Sequence, residues 1–95
     1  MFGRKKATTV DGPLTQEALR GWLIGELARR LNCPQSDVDT AKSFDAYGLD
    51  SRTAVQVSGA LEKVVERRLS PAILFEHETI DDLAAYLARE LRLPS

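Results

Sequence analysis

Apolar residues recur at intervals of three and four in three separate stretches of this 95-residue chain. This spacing is the period of an α-helix that buries one face. No stretch shows the alternation or the run of β-branched residues that is typical of a strand. The pattern therefore predicts an all-α fold with three main helices around one core. The apolar positions are Leu19, Trp22, Leu23, Leu27 and Leu31, then Ala54, Val57, Leu61, Val64 and Val65, then Ile80, Leu83, Leu87 and Leu91.

Capping residues mark where these helices begin. Thr15 and Asp50 each stand close before an apolar stripe, and their side-chain oxygens can accept from the free amides of a first turn. Thr79 precedes the last stripe and is followed by acidic residues. Ser70 with Pro71 is a further start signal, since proline fits the first position of a helix. The sequence thus predicts a short helix before the last main one.

The helix ends can also be estimated. Pro34 stops the first helix, which we expect to end near Asn32. The second helix is expected to end around Arg67 or Arg68, and the short helix to cover residues 72–75. Together these bounds give three main helices and a short third one.

The connection between the first two helices, residues 34–50, is seventeen residues long. A loop of this length in a small domain is usually functional or anchored. Its apolar members follow neither a helix period nor a strand period, so we expect them to anchor the loop along the core. Gly48 permits a backbone turn that a residue with a Cβ would resist. The apolar members are Val38, Phe44, Tyr47 and Leu49.

Composition and charge bound the class of protein. Thirteen basic and fourteen acidic side chains give a net charge of −1, and 43% of the residues are hydrophobic. This balance predicts a globular domain without the basic face that nucleic acid or an anionic membrane requires. The single cysteine, Cys33, excludes an internal disulfide and cannot build a zinc site. Because no apolar run is long enough to cross a bilayer, we expect a cytoplasmic protein.

The chain divides into three regions. Residues 1–13 combine a basic cluster with glycine and proline and have no apolar period, so we expect a flexible lead or linker. Residues 14–92 contain all the helix signals and should form the folded domain. Residues 93–95 are expected to be a tail.

Ser51 and His77, with several aspartates, nominally supply the parts of a catalytic triad. A nucleophilic serine needs a base beside it and an oxyanion hole in a pocket, and four helices of this size enclose little beyond their own core. We therefore expect no catalysis. His77 lies between two glutamates and no partner at metal-ligand spacing accompanies it, so we expect a surface histidine.

The position of Ser51 is more informative. It follows Gly48, Leu49 and Asp50 and opens the second helix, so its hydroxyl should be reachable by another protein. A phosphate esterified there would face the unpaired amides and the positive end of the helix dipole. The spacing alone leaves two interpretations open: an attachment site for a phosphorylated prosthetic group, or a serine that only takes part in a helix cap.

The run Gly-Leu-Asp-Ser at 48–51 resembles the attachment motif of acyl carrier proteins and carrier domains. The resemblance covers about residues 14–91 and includes the end of the long loop at 44–47. It also includes Leu-Ser-Pro at 69–71 and the segment 75–80 before the last helix. The Leu-Ser-Pro and Thr-Ile patterns look most like carrier domains of modular polyketide synthases and of lipid-initiating biosynthetic systems.

The resemblance implies a four-helix bundle of the acyl-carrier type that performs no catalysis of its own. A phosphopantetheinyl transferase would attach 4'-phosphopantetheine from coenzyme A to Ser51, whose motif neighbours are Gly48, Leu49 and Asp50. The thiol of this arm would carry polyketide or fatty-acyl intermediates as thioesters. Partners would include acyl-activating enzymes, acyltransferases, ketosynthases or condensation-type enzymes, and the isolated domain would be a monomer. The partner-recognition residues would be Arg52, Val55, Gln56 and Gly59.

Two departures from the family's pattern concern partners. The residue after the serine is commonly apolar, and here it is Arg52, a cation near the expected phosphodiester. The second helix lacks the dense acidity of freestanding fatty-acid carriers, which favours a dedicated biosynthetic pathway. Two alternatives stay open: a peptidyl or aminoacyl carrier of a nonribosomal pathway, and a small helical interaction module without a prosthetic group.

Overall fold

The computed structural model describes residues 14–93 of the chain. It contains no strand in this range, and a single isolated bridge joins Ser43 to Thr79. The prediction of an all-α bundle with three main helices and a short third one is confirmed. The predicted lead and the last two residues of the predicted tail lie outside the described residues. The helices are α1 (Gln16–Leu31), α2 (Ser51–Val65), α3 (Ile73–Glu76) and α4 (Ile80–Leu91).

Side-chain caps begin the three main helices where the sequence predicts them. The side chains of Thr15, Asp50 and Thr79 each accept a hydrogen bond from the backbone N–H three residues later. The three donor–acceptor distances are 3.0, 2.8 and 3.0 Å. Each cap satisfies one of the amides that a first helical turn leaves without an intrahelical partner. The starts of α1, α2 and α4 are therefore fixed by local chemistry.

The end of α2 differs from the prediction. The helix ends at Val65 and not at Arg67 or Arg68, because Glu66 adopts the left-handed conformation with a φ of 56°. The Arg67 backbone N–H then donates back to the Glu62 carbonyl at 3.3 Å and closes the helix. Glycine or asparagine is the usual sign of such an ending. A glutamate there gives the sequence no stop signal.

Ser70 forms a turn and does not cap α3. Its hydroxyl accepts from the Ala72 backbone N–H at 3.1 Å, and its carbonyl accepts from the Ile73 N–H at 3.0 Å. The helix begins only at Ile73, so the prediction that Pro71 occupies its first position is wrong. The short helix itself is confirmed and covers Ile73–Glu76, against the predicted range 72–75.

The long loop contributes two side chains to the buried core. Phe44 is 2% exposed and Leu49 is 9% exposed, and both pack with the aliphatic faces of the three main helices. Val38 and Tyr47 are partly buried against the same core. The prediction that the loop's apolar residues anchor it is therefore confirmed for all four.

Hydrogen bonds tie the loop to the start of α4. The Phe44 N–H donates to the Glu78 carbonyl at 2.7 Å, and the Asp81 N–H donates to the Thr40 carbonyl at 3.1 Å. The side chain of Asp81 also accepts from Arg20 Nε of α1 at 2.8 Å. Three elements that are distant in sequence thus meet at Asp81. These contacts limit how far the loop, and with it the start of α2, can shift.

His77 is half-buried, which corrects the prediction of a surface histidine. Its ring stacks on Tyr86 with the ring centroids 4.0 Å apart, and its Nδ1 lies 3.5 Å from Asp82 Oδ2. The contact joins the end of α3 to α4. Residues 14–93 hold no cluster of side chains suited to a metal ion and no helix long and apolar enough to cross a membrane.

Phe44→Ala should destabilise the domain strongly, because it leaves a cavity under the long loop. We expect a loss of about 3–5 kcal/mol in the free energy of unfolding, measured by urea titration at 25 °C. Phe75→Ala is the matched control, since Phe75 is 47% exposed, and it should cost less than about 1 kcal/mol. Equal losses for the two variants would show that Phe44 does not anchor the loop.

Candidate functional site

Ser51 is the first residue of α2, and its side chain is exposed. Asp50, in the extended conformation, precedes it as the helix cap. Asp50 Oδ1 accepts from the Thr53 N–H at 2.8 Å, and the Asp50 carbonyl accepts from the Ala54 N–H at 2.9 Å. The amides of Ser51 and Arg52 have no partner among residues 14–93. An exposed hydroxyl and two free backbone donors therefore stand together at the positive end of the helix.

A left-handed glycine sets the direction in which the chain enters α2. Gly48 has a φ of 80°, and its N–H donates to the Asp45 carbonyl at 2.9 Å to close the short 3-10 helix Asp45–Tyr47. The next residue, Leu49, is buried in the core, while Asp50 is exposed. The turn at Gly48 therefore lets one neighbour anchor the chain and the other begin the helix. The predicted run 48–51 works as one structural unit.

Tyr47 fastens the first half of the loop to the second. Its hydroxyl accepts from the Asp39 N–H at 2.6 Å and donates to the Asp39 carbonyl at 2.7 Å. The ammonium of Lys42 lies over the same ring, 4.7 Å from its centroid. The aromatic ring packs on the core, so Tyr47 joins the loop to the core just before the turn.

The electrostatic state of Asp50 suits its role as a cap. Hydrogen bonds from the Thr53 backbone N–H and from its hydroxyl lower the pKa of Asp50, and the nearby charge of Arg52 lowers it further. Partial desolvation opposes these effects without overcoming them. The carboxylate is therefore ionised at neutral pH and accepts from the helix amide as an anion.

Ser51 lacks the surroundings of a catalytic nucleophile. Within residues 14–93, its hydroxyl donates to no side chain that could act as an activating base. His77, which the triad interpretation requires, contacts Tyr86 and Asp82 instead. The hydroxyl is therefore exposed and has no activating base among residues 14–93.

The four predicted partner-recognition residues share one face of α2. Arg52, Val55, Gln56 and Gly59 follow the spacing of three and four that brings residues together on a helix. The first three are exposed, and Gly59 is half-buried. This face starts one residue after Ser51. We call these four residues the α2 face.

The sequence did not predict one contact, which joins α1 to the α2 face. Arg30 Nη1 donates to Gln56 Oε1 at 2.8 Å, while Arg30 Nε donates to Glu26 Oε2 at 2.7 Å. Glu26 is 5% exposed. Its separation of four residues from Arg30 is a sequence signal for a helical ion pair. Nothing local, however, indicates that Arg30 also reaches Gln56, which is 26 residues away.

Residues 21–87 match the model of the family described as "phosphopantetheine attachment site". The chain belongs to this family of phosphopantetheine-dependent carriers. Members carry 4'-phosphopantetheine covalently. The residues at the start of α2 fit such a group, since an exposed hydroxyl adjoins two free amides that suit a phosphate.

Curated relatives are polyketide synthases. The carrier is 44% identical over 80 residues to a phenolphthiocerol/phthiocerol polyketide synthase of Mycobacterium tuberculosis, covering 83% of this chain and 4% of that protein. It is 31% identical over 87 residues to polyketide synthase PksL of Bacillus subtilis, covering 90% of this chain and 2% of that protein. The chain therefore spans only a few per cent of the length of these relatives.

Solved structures of similar fold are carrier proteins. An acyl carrier protein from Anabaena with a variant phosphopantetheinylation-site sequence has a TM-score of 0.78 and 34% identity, covering 86% of this chain and 93% of that one. A free-standing peptidyl carrier protein from Acinetobacter baumannii has a TM-score of 0.77 and 32% identity, covering 81% and 96%. The predicted acyl-carrier fold and carrier function are confirmed.

Replacing Gly48 by alanine should destabilise the carrier, because a Cβ is strained at a φ of 80° even though open space surrounds it. We expect a loss of about 1–2 kcal/mol in the free energy of unfolding. Gly59→Ala is the matched control, since Gly59 is helical and also has open space, and it should gain about 0.5–1 kcal/mol. Urea titration measures both, and a neutral or stabilising Gly48→Ala would contradict the role of the turn.

Asp50→Asn should keep the cap and remove its titration, since asparagine caps helices as well as aspartate does. The pKa of Asp50 in the folded state lies below its unfolded value of about 3.9. Its ionised form therefore contributes stability that is fully present above about pH 4 and is lost as the pH falls through the folded-state pKa.

The stability difference between the wild-type carrier and Asp50→Asn should therefore stay constant from about pH 7 to about pH 5 and shift against the wild type below about pH 4. Urea titrations across this range give the difference directly. A stability difference that stays the same between neutral and acidic pH would show that ionisation of Asp50 does not strengthen the cap.

Proposed function

We propose that Ser51 is the residue on which this carrier receives 4'-phosphopantetheine. The single observation that supports it most is the exposed Ser51 side chain at the first position of α2, beside the free amides of Ser51 and Arg52. Gly48, Leu49 and Asp50 act as its structural neighbours: one makes the turn, one anchors it in the core and one caps the helix.

The residues of the carrier bind the phosphate of the attached group, and other enzymes make and break the covalent bonds. The two free amides of Ser51 and Arg52 would stabilise the negative charge of a phosphodiester on Ser51. The bound arm supplies a thiol that carries acyl groups as thioesters. We accordingly propose that the carrier has no catalytic activity, since no base accompanies Ser51 within the described residues.

We propose that the carrier works in the cytoplasm as a monomeric domain of residues 14–92 within a polyketide or fatty-acyl pathway. Its partners are a phosphopantetheinyl transferase and synthase enzymes such as acyl-activating enzymes, acyltransferases and ketosynthases or condensation-type enzymes. The α2 face is the proposed recognition surface, because it is exposed directly beside Ser51. The polyketide synthase relatives support this choice of pathway.

A peptidyl carrier of a nonribosomal pathway is the second candidate function. The likeness to the peptidyl carrier protein from Acinetobacter baumannii supports it, at a TM-score of 0.77. Acyl-activating and aminoacyl-activating enzymes, offered in turn to the loaded carrier, separate the two. Charging by aminoacyl-activating enzymes alone would favour the peptidyl carrier.

Ser51→Ala should abolish loading while leaving the fold intact. Wild-type carrier incubated with coenzyme A and a broad-specificity phosphopantetheinyl transferase should gain one phosphopantetheine group in an intact-protein mass spectrum, and Ser51→Ala should gain none. Ser36→Ala is the matched control, because Ser36 is also exposed, and it should load fully. Loading of Ser51→Ala would disprove the attachment site. A folded wild type that never loads would favour an interaction module.

A further inference from the structure

We propose that the α2 face receives a carboxylate-bearing surface of a synthase enzyme, and that Arg30 and Glu26 of α1 position Gln56 for this contact. The inference rests on the proposed function, since it concerns the enzymes that meet the loaded carrier. It adds the chemistry of the partner and two positioning residues outside α2.

Glu26 carries a buried carboxylate that orients Arg30. Both of its oxygens are used: Oε1 accepts from Arg29 Nη2 at 2.6 Å, and Oε2 accepts from Arg30 Nε at 2.7 Å. A carboxylate that is 5% exposed depends on such partners, because an unpaired buried charge is costly. The guanidinium of Arg30, whose side chain is 23% exposed, is therefore held in one orientation.

Arg30 in turn orients the side-chain amide of Gln56. Arg30 Nη1 donates to Gln56 Oε1 at 2.8 Å. A guanidinium has donors and no acceptor, so the amide oxygen of Gln56 must face Arg30. The amide NH₂ of Gln56 is then left for the exposed side of α2. Arg30 thereby converts a side chain that could donate or accept into one that offers donors to a partner.

Arg52 supplies the positive charge of the α2 face. It is the single charged residue between positions 51 and 61. It is exposed and forms no hydrogen bond or salt bridge within the part of the chain that the structure describes. The nearby anion that acts on it is the cap carboxylate of Asp50, which accepts from the Thr53 amide. Ser58 offers no hydrogen-bonding group to a partner, because its hydroxyl is buried and donates to the Val55 carbonyl. The exposed side chains that follow Ser51 on this helix turn therefore offer hydrogen-bond donors and a positive charge, which carboxylates complement.

The shape of the face suits close contact. Val55, 47% exposed, lies one turn after Arg52 on this face, and Gly59 presents no side chain one further turn along. Open space surrounds the position where a Cβ of Gly59 would stand. A partner segment can thus pack on Val55 and approach the backbone at Gly59 while its carboxylates pair with Arg52 and Gln56. Apolar surfaces and a second copy of the chain are the competing occupants.

The test uses the holo carrier and an acyltransferase domain of a polyketide synthase that acylates the wild type. Arg52→Glu should raise KM about tenfold or more and leave kcat within about twofold, because docking is weakened and the chemistry is not. KM of the wild type should also rise with salt. Arg68→Glu is the matched control, since Arg68 is exposed beyond the end of α2, and it should change neither constant.

The positioning role has its own readout. Arg30→Leu and Gln56→Leu should each raise KM about threefold or more, and the double variant should be no worse than the poorer single one, because both remove the same donor arrangement. Circular dichroism verifies that each variant is folded under the assay conditions. KM effects that multiply in the double variant would show that Arg30 does not act through Gln56.

An unchanged KM for Arg52→Glu, or an equal rise for Arg68→Glu, overturns the acidic partner surface. A lower KM for Arg52→Leu overturns it in favour of an apolar surface, and self-association of the holo carrier in sedimentation that Arg52→Glu disrupts would favour a second copy. Failure of the proposed function is distinguishable, because the wild type would then show no phosphopantetheine in its mass spectrum before any acyltransferase is added.

Discussion

The hydrogen bond from the Thr53 backbone N–H to Asp50 Oδ1, 2.8 Å long, determines where α2 begins and therefore where Ser51 stands. With the cap at Asp50, the amides of Thr53 and Ala54 are used, and those of Ser51 and Arg52 stay free within the described part of the chain. Shifting the cap by one residue would change which hydroxyl stands beside free amides. The proposed attachment of the prosthetic group at Ser51 thus depends on one local interaction that the long loop supports from outside the helix.

The long loop holds the exposed start of α2 in a fixed position. Phe44 and Leu49 are buried in the core. The Tyr47 hydroxyl hydrogen-bonds to the Asp39 backbone, and Gly48 turns the chain just before Leu49. These contacts hold the entrance of α2 against the core formed by the main helices. In the proposed function partner enzymes would supply the active-site cavities, and the carrier would need only a fixed platform and an exposed hydroxyl.

Features that depend on residues close in sequence could be predicted, whereas contacts between separate elements could not. The apolar faces, the cap at Asp50 and the turn at Gly48 depend on residues close in sequence, and all three are confirmed. The left-handed Glu66 that ends α2 carries no residue-type signal. The Arg30–Gln56 contact and the stacking of His77 on Tyr86 depend on how separate elements pack, so no local pattern indicates them.

The most direct test of the account is peptide mapping of the loaded wild-type carrier by fragmentation mass spectrometry. The account predicts one phosphopantetheine group, with fragment ions that assign the phosphodiester to the Ser51 side chain. Assignment of the group to any other residue would show that the capped start of α2 is not the attachment site.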